Sequence, residues 1–206
     1  MVTLINMALI IPVAHDFICP WCWVGLIQAK RLMKEFGVEF EWLGYELFPE
    51  DMVWPDSPAP IPPPSNKPPT PTRFEFIQLA DGVKLPTVER PKKMRSYLAH
   101  QAVEFAKTEA VAQQLVERLY QAFWEEGREI NNVEVLVEQA HGIVTDISGF
   151  EASIRDRRFK DKIVPFDAPA YALGIYNVPT FMIGDERLAE QPYSVIEAAL
   201  KRELGL

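Results

Sequence analysis

The stretch His15–Gly25, HDFICPWCWVG, holds both cysteines of this 206-residue chain. They are Cys19 and Cys22, and Pro20 and Trp21 separate them. A Cys-x-x-Cys spacing suits a redox-active dithiol, half of a metal site, or a small buried disulfide. The rest of the sequence has to decide among these three interpretations.

The segments around the cysteines predict a parallel β-α-β unit. Residues 8–14 are almost continuously apolar, as in a strand covered on both faces, and Pro12 is expected to form a bulge or an edge contact. A helical pattern follows over residues 20–36, and Gly37 supplies its C-terminal stop. Residues 38–48 then alternate apolar and acidic side chains, which predicts a second strand. The cysteines therefore lie at a turn from strand to helix.

The composition changes after the second strand. Nine of the seventeen residues in 55–71 are proline, which predicts a stiff, extended connector that can also frame a site. About 85 residues of helical pattern follow, with one helix N-cap expected at an asparagine of the pair Asn131 and Asn132 and another at Asp146. The clearest apolar stripe in this block repeats every four residues and consists of Leu115, Val116, Leu119, Tyr120, Phe123 and Trp124.

The C-terminal part returns to α/β character. Residues 166–204 predict a short helix, a strand TFMI, a Gly-Asp turn, a short strand RLA and a closing helix. These elements would complete the sheet begun at the N-terminus. We therefore predict a discontinuous α/β domain over residues 1–55 and 161–206, with the proline-rich loop and a helical subdomain inserted as residues 56–160.

Charge and hydropathy exclude several classes of function. The net charge of −8 and the sequence pI near 5.0 argue against nucleic-acid and anionic-membrane partners. No apolar run approaches the roughly 18 residues of a spanning helix, and the N-terminus lacks the basic region of a signal peptide. We therefore expect a cytoplasmic protein, where a Cys-x-x-Cys pair is more often catalytic or metal-binding than a stable disulfide.

The two thiols are expected to have different roles in disulfide exchange. Cys19 would lie at the helix N-terminus, where unpaired N–H groups and the helix dipole stabilise a thiolate. Pro20 suits the first helical position, because its missing N–H costs nothing there. Cys22 lies one turn further in, within disulfide distance of Cys19 but more buried. We predict an exposed attacking thiolate and a second thiol that resolves the mixed disulfide.

Non-catalytic interpretations of the cysteines, histidines and tryptophans also have to be considered. A zinc site usually needs four ligands, and no second cysteine pair exists, so we predict no metal. Two inert, buried cysteines remain an alternative. His15 either tunes the thiolate or is simply solvated near a strand end, and His100 and His141 are expected on the surface. Trp23 is expected in the core, whereas Trp21 should face the active-site surface.

Several motifs together resemble one family. The run D-x-x-C-P-W-C-W-x-G over residues 16–25 and the segment NVPTFMIG over residues 177–184 are similar to two signatures of the DsbA-like thioredoxin-domain family, in particular its FrnE-like branch. FPEDM over residues 48–52 and EQPYSVIEAAL over residues 190–200 also fit. The resemblance implies a thioredoxin-like fold with a large inserted helical subdomain, and it implies thiol-disulfide exchange.

The resemblance assigns roles to individual residues. It implies Cys19 as nucleophile, Cys22 as resolving thiol and Pro179 as a cis-proline beside them. The backbone of Val178 would pair with an extended substrate, and Thr180 would continue into the strand. Beyond the redox-active disulfide no cofactor is expected, although glutathione is a candidate co-substrate. The expected partners are protein or small-molecule thiols and disulfides, and the expected state is a monomer or weak dimer. The predicted substrate-binding residues are Pro20, Trp21, Val178, Pro179 and Thr180.

Two further functions stay open at this point. A related branch contains glutathione-using kappa-class transferases and 2-hydroxychromene-2-carboxylate isomerases, whose first motif position is typically serine. The intact cysteine pair argues against that chemistry, though not against a glutathione pocket beside Val178. A non-enzymatic alternative is a redox-sensing or chaperone-like binding module.

Overall fold

A computed structural model describes residues 8–54 and 70–206 of the chain, and these residues form a mixed α/β fold. The strands in this part of the chain are β1 (Ile10–His15), β2 (Glu39–Glu46), β3 (Val164–Pro165), β4 (Thr180–Ile183) and β5 (Glu186–Ala189). The α-helices are α1 (Pro20–Phe36), α2 (Arg73–Asp81), α3 (Tyr97–Thr108), α4 (Ala112–Trp124), α5 (Val133–Ala140), α6 (Ile147–Arg155), α7 (Ala168–Ala172) and α8 (Tyr193–Leu204). The predicted connector over residues 55–71 lies, apart from its last two residues, outside the described residues.

The strands form one sheet in the order β3-β2-β1-β4-β5. Strand β1 pairs in parallel with β2, which confirms the predicted β-α-β unit. It pairs antiparallel with β4 on its other side, so β1 lies in the centre of the sheet. Two segments far apart in the chain therefore meet at β1, and the turn that follows β1 faces the start of β4.

Pro12 is accommodated without a bulge. The parallel register of β1 on β2 runs unbroken from Ile10 to His15, with Pro12 opposite Glu41. Antiparallel pairing with β4 involves only Val13 and Ala14, so the proline lies outside that ladder. The predicted bulge was wrong, and the predicted edge contact does not apply either, because β1 lies between β2 and β4.

Helix α1 has the predicted limits. Cys19 is its N-cap residue with extended backbone angles, and Pro20 occupies the first helical position. At the other end Gly37 adopts a left-handed conformation (φ 67°), and its N–H donates to the carbonyl oxygen of Met33. The face of α1 that carries Leu26, among others, is buried against the rest of the fold.

The helical block is less continuous than the sequence pattern indicated. Helix α2 begins with a capping box in which Thr72 and Glu75 exchange hydrogen bonds. Residues 83–96 then contain no helix, because Pro86 and Pro91 remove backbone donors and disfavour helix at the preceding residues. The uninterrupted helical pattern predicted across this segment was therefore wrong.

The remaining helices of the block follow the sequence pattern. The side chains of Asn132 and Asp146 accept backbone N–H groups at the starts of α5 and α6, as predicted. The apolar stripe of α4 is completely buried and contacts β2 and α1. One hydrophobic cluster joins the sheet with the helical block, and its largest fully buried side chains include Phe17, Trp42, Tyr120, Phe150 and Phe181. The domain boundaries at residues 55 and 161 stay a prediction.

The C-terminal elements occur in the predicted order. Helix α7, strand β4, a turn at Gly184, strand β5 and helix α8 correspond to the segments expected over residues 166–204. Strand β3 was not predicted, because it has only two residues and a segment that short cannot show the alternation of a strand. Its Pro165 lies on the edge of the sheet, where a missing N–H is tolerated. Within residues 8–54 and 70–206, no helix combines the length and the apolar character that crossing a membrane requires.

Candidate active site

The sulfur of Cys19 lies between the start of α1 and the loop before β4. Its thiol donates a hydrogen bond of 3.4 Å to the carbonyl oxygen of Val178. Its own carbonyl oxygen accepts the N–H groups of Cys22 (3.0 Å) and Trp23 (3.2 Å), which starts the helix. The residue is only 5% exposed, so the predicted exposed thiol was wrong. The carbonyl oxygen of Val178 occupies one side of this sulfur.

Cys22 lies deeper, as predicted, with 1% of its surface exposed. Burial raises the pKa of its thiol well above the usual value, and a hydrogen bond to Cys19 and the charge of Cys19 raise it further. The N–H of Asp16 donates to the Cys22 sulfur at 3.4 Å. Both cysteines are free thiols here. The pair therefore consists of one buried thiol beside the loop and a second, deeper thiol that resists ionisation.

The loop before β4 is packed closely on α1. The Val178–Pro179 peptide bond is cis. A Cβ atom on Gly25 would lie 2.9 Å from Cγ of Pro179, so the glycine of the motif leaves the space that this proline ring fills. The hydroxyl of Thr180 donates to the carbonyl oxygen of Asn177 at 2.6 Å, and Thr180 pairs with β1. These contacts hold the predicted substrate-binding loop against the cysteine turn.

The residues between and after the cysteines face different surroundings. Pro20 is exposed, and Trp21 is half-buried with its ring edge-on to Phe74 of α2 at 4.6 Å. Trp23 is buried, as predicted, and its indole N–H donates to the carbonyl oxygen of Lys84 at 3.3 Å. Helix α2 and the segment after it therefore form a wall beside the Cys-x-x-Cys turn.

Asp16 connects the Cys-x-x-Cys turn to the residue after strand β2 through hydrogen bonds. Its carboxylate accepts the N–H groups of Ile18 (3.2 Å) and Leu47 (2.6 Å), and its carbonyl oxygen accepts the N–H of Cys19 (3.2 Å). The carboxylate is completely buried. Asp16 was predicted only as part of a motif. An acidic residue directly after an apolar strand is the signal that indicates such a structural role.

Two of the three histidines are not where we expected them. His15 and His100 are buried, whereas His141 is exposed as predicted. The His15 ring points into the helical block, where its Nδ1 lies 3.0 Å from the hydroxyl of Tyr120. His100 occupies space that Gly44 leaves free, because a Cβ there would lie 2.8 Å from the His100 ring. The predictions of a solvated His15 and a surface His100 were therefore wrong.

No group of three or more histidine, cysteine, aspartate or glutamate side chains within residues 8–54 and 70–206 is arranged to hold a metal ion.

The chain matches the DSBA-like thioredoxin domain family over residues 10–201 and belongs to that family. YwbO, an uncharacterized protein of Bacillus subtilis (strain 168), is 28% identical over 176 residues, which cover 85% of this chain and 86% of YwbO. This confirms the predicted DsbA-like thioredoxin domain, and the FrnE-like branch stays a prediction.

Solved structures agree on the fold. A probable DsbA oxidoreductase from Streptomyces coelicolor superposes with a TM-score of 0.67 at 21% identity, covering 95% of this chain and 90% of that chain. The cytosolic disulfide reductase DsbM from Pseudomonas aeruginosa gives a TM-score of 0.62 at 17% identity, covering 94% of this chain and 100% of that chain. A 2-hydroxychromene-2-carboxylate isomerase gives a TM-score of 0.65 at 16% identity, covering 94% of this chain and 95% of that chain. At these identities the likeness establishes a DsbA-like thioredoxin fold.

Proposed function

We propose that the protein is a thiol-disulfide oxidoreductase that exchanges disulfides with protein or small-molecule thiols through Cys19 and Cys22. One observation carries this proposal. The Cys19 sulfur lies at the N-terminus of a helix, 3.4 Å from the Val178 carbonyl oxygen, with a second, buried thiol one turn further along. A helix N-terminus stabilises a thiolate, and the loop offers backbone groups to an extended substrate.

The reaction needs two exchanges. The Cys19 thiolate attacks a substrate disulfide, which forms a mixed disulfide and releases one substrate thiolate. Cys22 then loses its proton and attacks the Cys19 sulfur, which forms the Cys19–Cys22 disulfide and releases the second substrate thiol. Two electrons pass from the protein to the substrate, and the reverse sequence oxidises a substrate dithiol. The potential of the partner determines the direction.

The substrate would bind along the surface that the site residues form. Pro20 is exposed and Trp21 half-exposed next to Cys19, and the carbonyl oxygen of Val178 lies against the Cys19 sulfur. An incoming disulfide replaces the Val178 contact of the Cys19 thiol, because that contact occupies the sulfur in the free protein. The freed carbonyl oxygen and the neighbouring N–H can then pair with an extended substrate segment.

Glutathione is the small-molecule partner that we propose, and the cytoplasm is the compartment. The neighbour DsbM is a cytosolic disulfide reductase, and one of its structures was solved with GSH. Both features fit a chain without structural disulfides, in which the two cysteines are free thiols. We propose no cofactor beyond the cysteine pair, and a monomer or weak dimer as the working state.

Catalysed reduction of insulin by dithiothreitol tests the proposal. The wild-type protein should accelerate the precipitation of the insulin B chain, and Cys19→Ser should abolish the acceleration. A glutathione-dependent isomerase would instead keep its activity in Cys22→Ser, because glutathione supplies the working thiol. A wild-type protein that neither accelerates insulin reduction nor reacts with glutathione disulfide would contradict the oxidoreductase and support a binding module.

A further inference from the structure

Arg73, the first residue of α2, joins the two segments that border the sulfur of Cys19. Its guanidinium lies over the ring of Trp21 at 5.7 Å, within the range of a cation–π contact. It also donates to the carbonyl oxygen of Glu190 at 2.8 Å, and the N–H of Glu190 donates to the carbonyl oxygen of Pro179 at 3.2 Å. Arg73 therefore lies between the Cys-x-x-Cys turn and the loop with the cis peptide bond.

The guanidinium of Arg73 is fixed in position and still open to solvent. Its Nη2 donates to the carbonyl oxygens of Ala189 and Glu190, and its Nη1 lies 3.4 Å from the Glu190 carboxylate. Within residues 8–54 and 70–206, these contacts use three of the five N–H groups that a guanidinium carries. The Arg73 side chain is 56% exposed and that of Glu190 only 15%, so two N–H groups can bind a ligand that arrives from solvent. A donor that is already oriented loses little freedom on binding.

The segment that contains α2 is basic, although the protein as a whole is acidic. Residues 70–96 carry six basic and three acidic side chains, whereas the net charge of the chain is −8. Arg90 of this segment lies over the ring of Trp124 at 4.4 Å, and that ring is 6.0 Å from the ring of Trp23. Charges of one sign that cluster beside a site raise the local concentration and the association rate of ligands of the opposite sign. This segment therefore favours an anionic substrate.

A small disulfide that carries carboxylates fits this arrangement. The guanidinium presents paired N–H donors in the geometry that matches the two oxygens of a carboxylate. Glutathione disulfide has more carboxylate than ammonium groups and is therefore an anion at neutral pH. Each carboxylate of glutathione belongs to a residue bonded directly to its cysteine, and Arg73 contacts Trp21, two positions after Cys19. One glutathione can thus present its sulfur to Cys19 and a carboxylate to Arg73.

We propose that Arg73 binds a carboxylate of the disulfide substrate and gives the site a preference for anionic disulfides such as glutathione disulfide, an inference that rests on the proposed function. Arg73 acts in binding and takes no part in the exchange of sulfur bonds. Its cation holds the carboxylate beside Trp21 while the Cys19 thiolate attacks the disulfide. Loss of the cation should therefore change the choice of substrate more than the chemistry of exchange.

Three small disulfides of different charge test this proposal. Glutathione disulfide is an anion, 2-hydroxyethyl disulfide is neutral and cystamine is a cation. Each is mixed in excess with the reduced protein, and the loss of protein thiols is followed by acid quenching and alkylation. The anion preference is the rate with glutathione disulfide divided by the rate with 2-hydroxyethyl disulfide. The intrinsic reactivity of each disulfide is the same for every variant, so it cancels when anion preferences are compared.

Arg73→Gln removes the cation and keeps a polar side chain. Helix α2 keeps its other anchor in this variant, because the Asp81 carboxylate accepts the N–H of Tyr193 at 3.0 Å. The anion preference should fall at least about threefold, since hydrogen bonds between charged groups are among the stronger polar contacts. The rate with cystamine relative to 2-hydroxyethyl disulfide should rise, because a like charge has been removed.

Arg202→Gln is the matched control. Arg202 of α8 is also an exposed arginine paired with a glutamate of strand β5, Glu186, at 2.6 Å, so the substitution changes the net charge equally. Glu186 begins β5, whereas Glu190, the partner of Arg73, follows its last residue. The anion preference of Arg202→Gln should stay within about 1.5-fold of the wild type, as for most surface substitutions.

Several results would overturn the proposal. An unchanged anion preference in Arg73→Gln is one, and an equal fall in Arg73→Gln and Arg202→Gln is another, because it would reflect the charge of the whole protein. If Arg73→Gln only loosens α2, the rates with all three disulfides change together and the anion preference stays, which also contradicts the proposal. A wild-type protein that reacts with none of the three disulfides would instead overturn the proposed function.

The wild-type protein allows a measurement that needs no substitution. Raising the salt concentration from about 20 mM to about 500 mM shortens the Debye length from roughly 20 Å to roughly 4 Å. The anion preference of the wild type should fall towards that of Arg73→Gln, and the anion preference of Arg73→Gln should change less. Effects of salt on the Cys19 thiolate are common to all three disulfides and cancel. A wild-type anion preference that does not depend on salt would contradict the proposal.

Discussion

The thiol of Cys19 donates a hydrogen bond to the carbonyl oxygen of Val178, a residue 159 positions later in the chain. This contact joins the turn after β1 to the loop before β4, and pairing of Ala14 with Thr180 fixes both segments to one sheet. The sheet topology therefore places the Cys19 sulfur, the nucleophile that we propose, against the backbone of Val178. In the function that we propose, disulfide exchange depends on this spacing.

Gly25→Ala should disturb that spacing. The added Cβ would lie 2.9 Å from Cγ and 3.0 Å from Cβ of Pro179, so the loop must move away from α1. We expect a loss of stability of about 1–3 kcal/mol, as for other overpacked contacts, and a clear fall in the rate of exchange at Cys19. Urea unfolding and the rate of reaction with glutathione disulfide measure the two effects.

Gly37→Ala controls for stability alone. Gly37 has φ 67° with open space around it, so alanine there strains the backbone by about 1–2 kcal/mol without touching the site. Its exchange rate should stay within about twofold of the wild type at a temperature where both proteins are folded. Equal losses of exchange in the two variants would show that the packing of Pro179 on α1 has no special importance.

Alkylation should distinguish the two thiols by their pH dependence. In Cys19→Ser the remaining Cys22 stays buried, and burial is the largest cause of its raised pKa. Because the thiolate is the reacting form, Cys22 should react with iodoacetamide slowly at pH 7 and its rate should still be rising above pH 9. Cys19 in Cys22→Ser should react faster at every pH below 9. A faster Cys22 would reverse the assignment of nucleophile and resolving thiol.

Glu46 should make stability depend on pH. Burial, and secondly the charge of Asp16, raises the pKa of this carboxyl from 4.5 to about 7. Between these values the folded state keeps a proton that the unfolded state has lost, so stability falls as the pH rises. Glu46→Gln removes this loss and should stabilise the protein by roughly 2–3 kcal/mol relative to the wild type at pH 8. The difference should vanish near pH 4, and urea unfolding at both pH values measures it.

A stability difference between Glu46→Gln and the wild type that is the same at pH 4 and pH 8 would contradict this explanation. It would indicate that the substitution acts through packing rather than through the ionisation of a buried carboxyl. Glu50→Gln is the matched control, because Glu50 is exposed and its pKa is lowered by Arg157. It should bring no gain in stability at pH 8.

Local sequence patterns predicted most of the fold. Residues 20–36 carry a helical period with a proline at the start and Gly37 at the end, and the structure has the same limits. Strand β3 has two residues, too few for any period, and its place depends on pairing with Tyr45 and Glu46 far away in sequence. The non-helical segment over residues 83–96 shows that an apolar pattern can continue through a stretch where prolines prevent a helix.

The site was only partly predictable. The motif brought attention to Cys19, Cys22 and the Val178–Pro179 loop, which the structure places in contact. The burial of His100 depends on the missing side chain of Gly44, 56 positions earlier, and a lone histidine carries no signal of such a contact. Nothing local indicated the pairing of His15 with Tyr120 either, because it forms only when α4 packs on the sheet.

Mass spectrometry of the protein after reaction with glutathione disulfide tests the central claim most directly. The reduced wild-type chain is mixed with excess glutathione disulfide, quenched in acid and alkylated. We predict that it takes up no alkyl group, loses two hydrogens to a Cys19–Cys22 disulfide and releases two glutathione thiols, while Cys22→Ser stops with one glutathione on Cys19. A wild-type chain that still takes up two alkyl groups, or a Cys19→Ser variant that exchanges as fast as the wild type, would contradict the account.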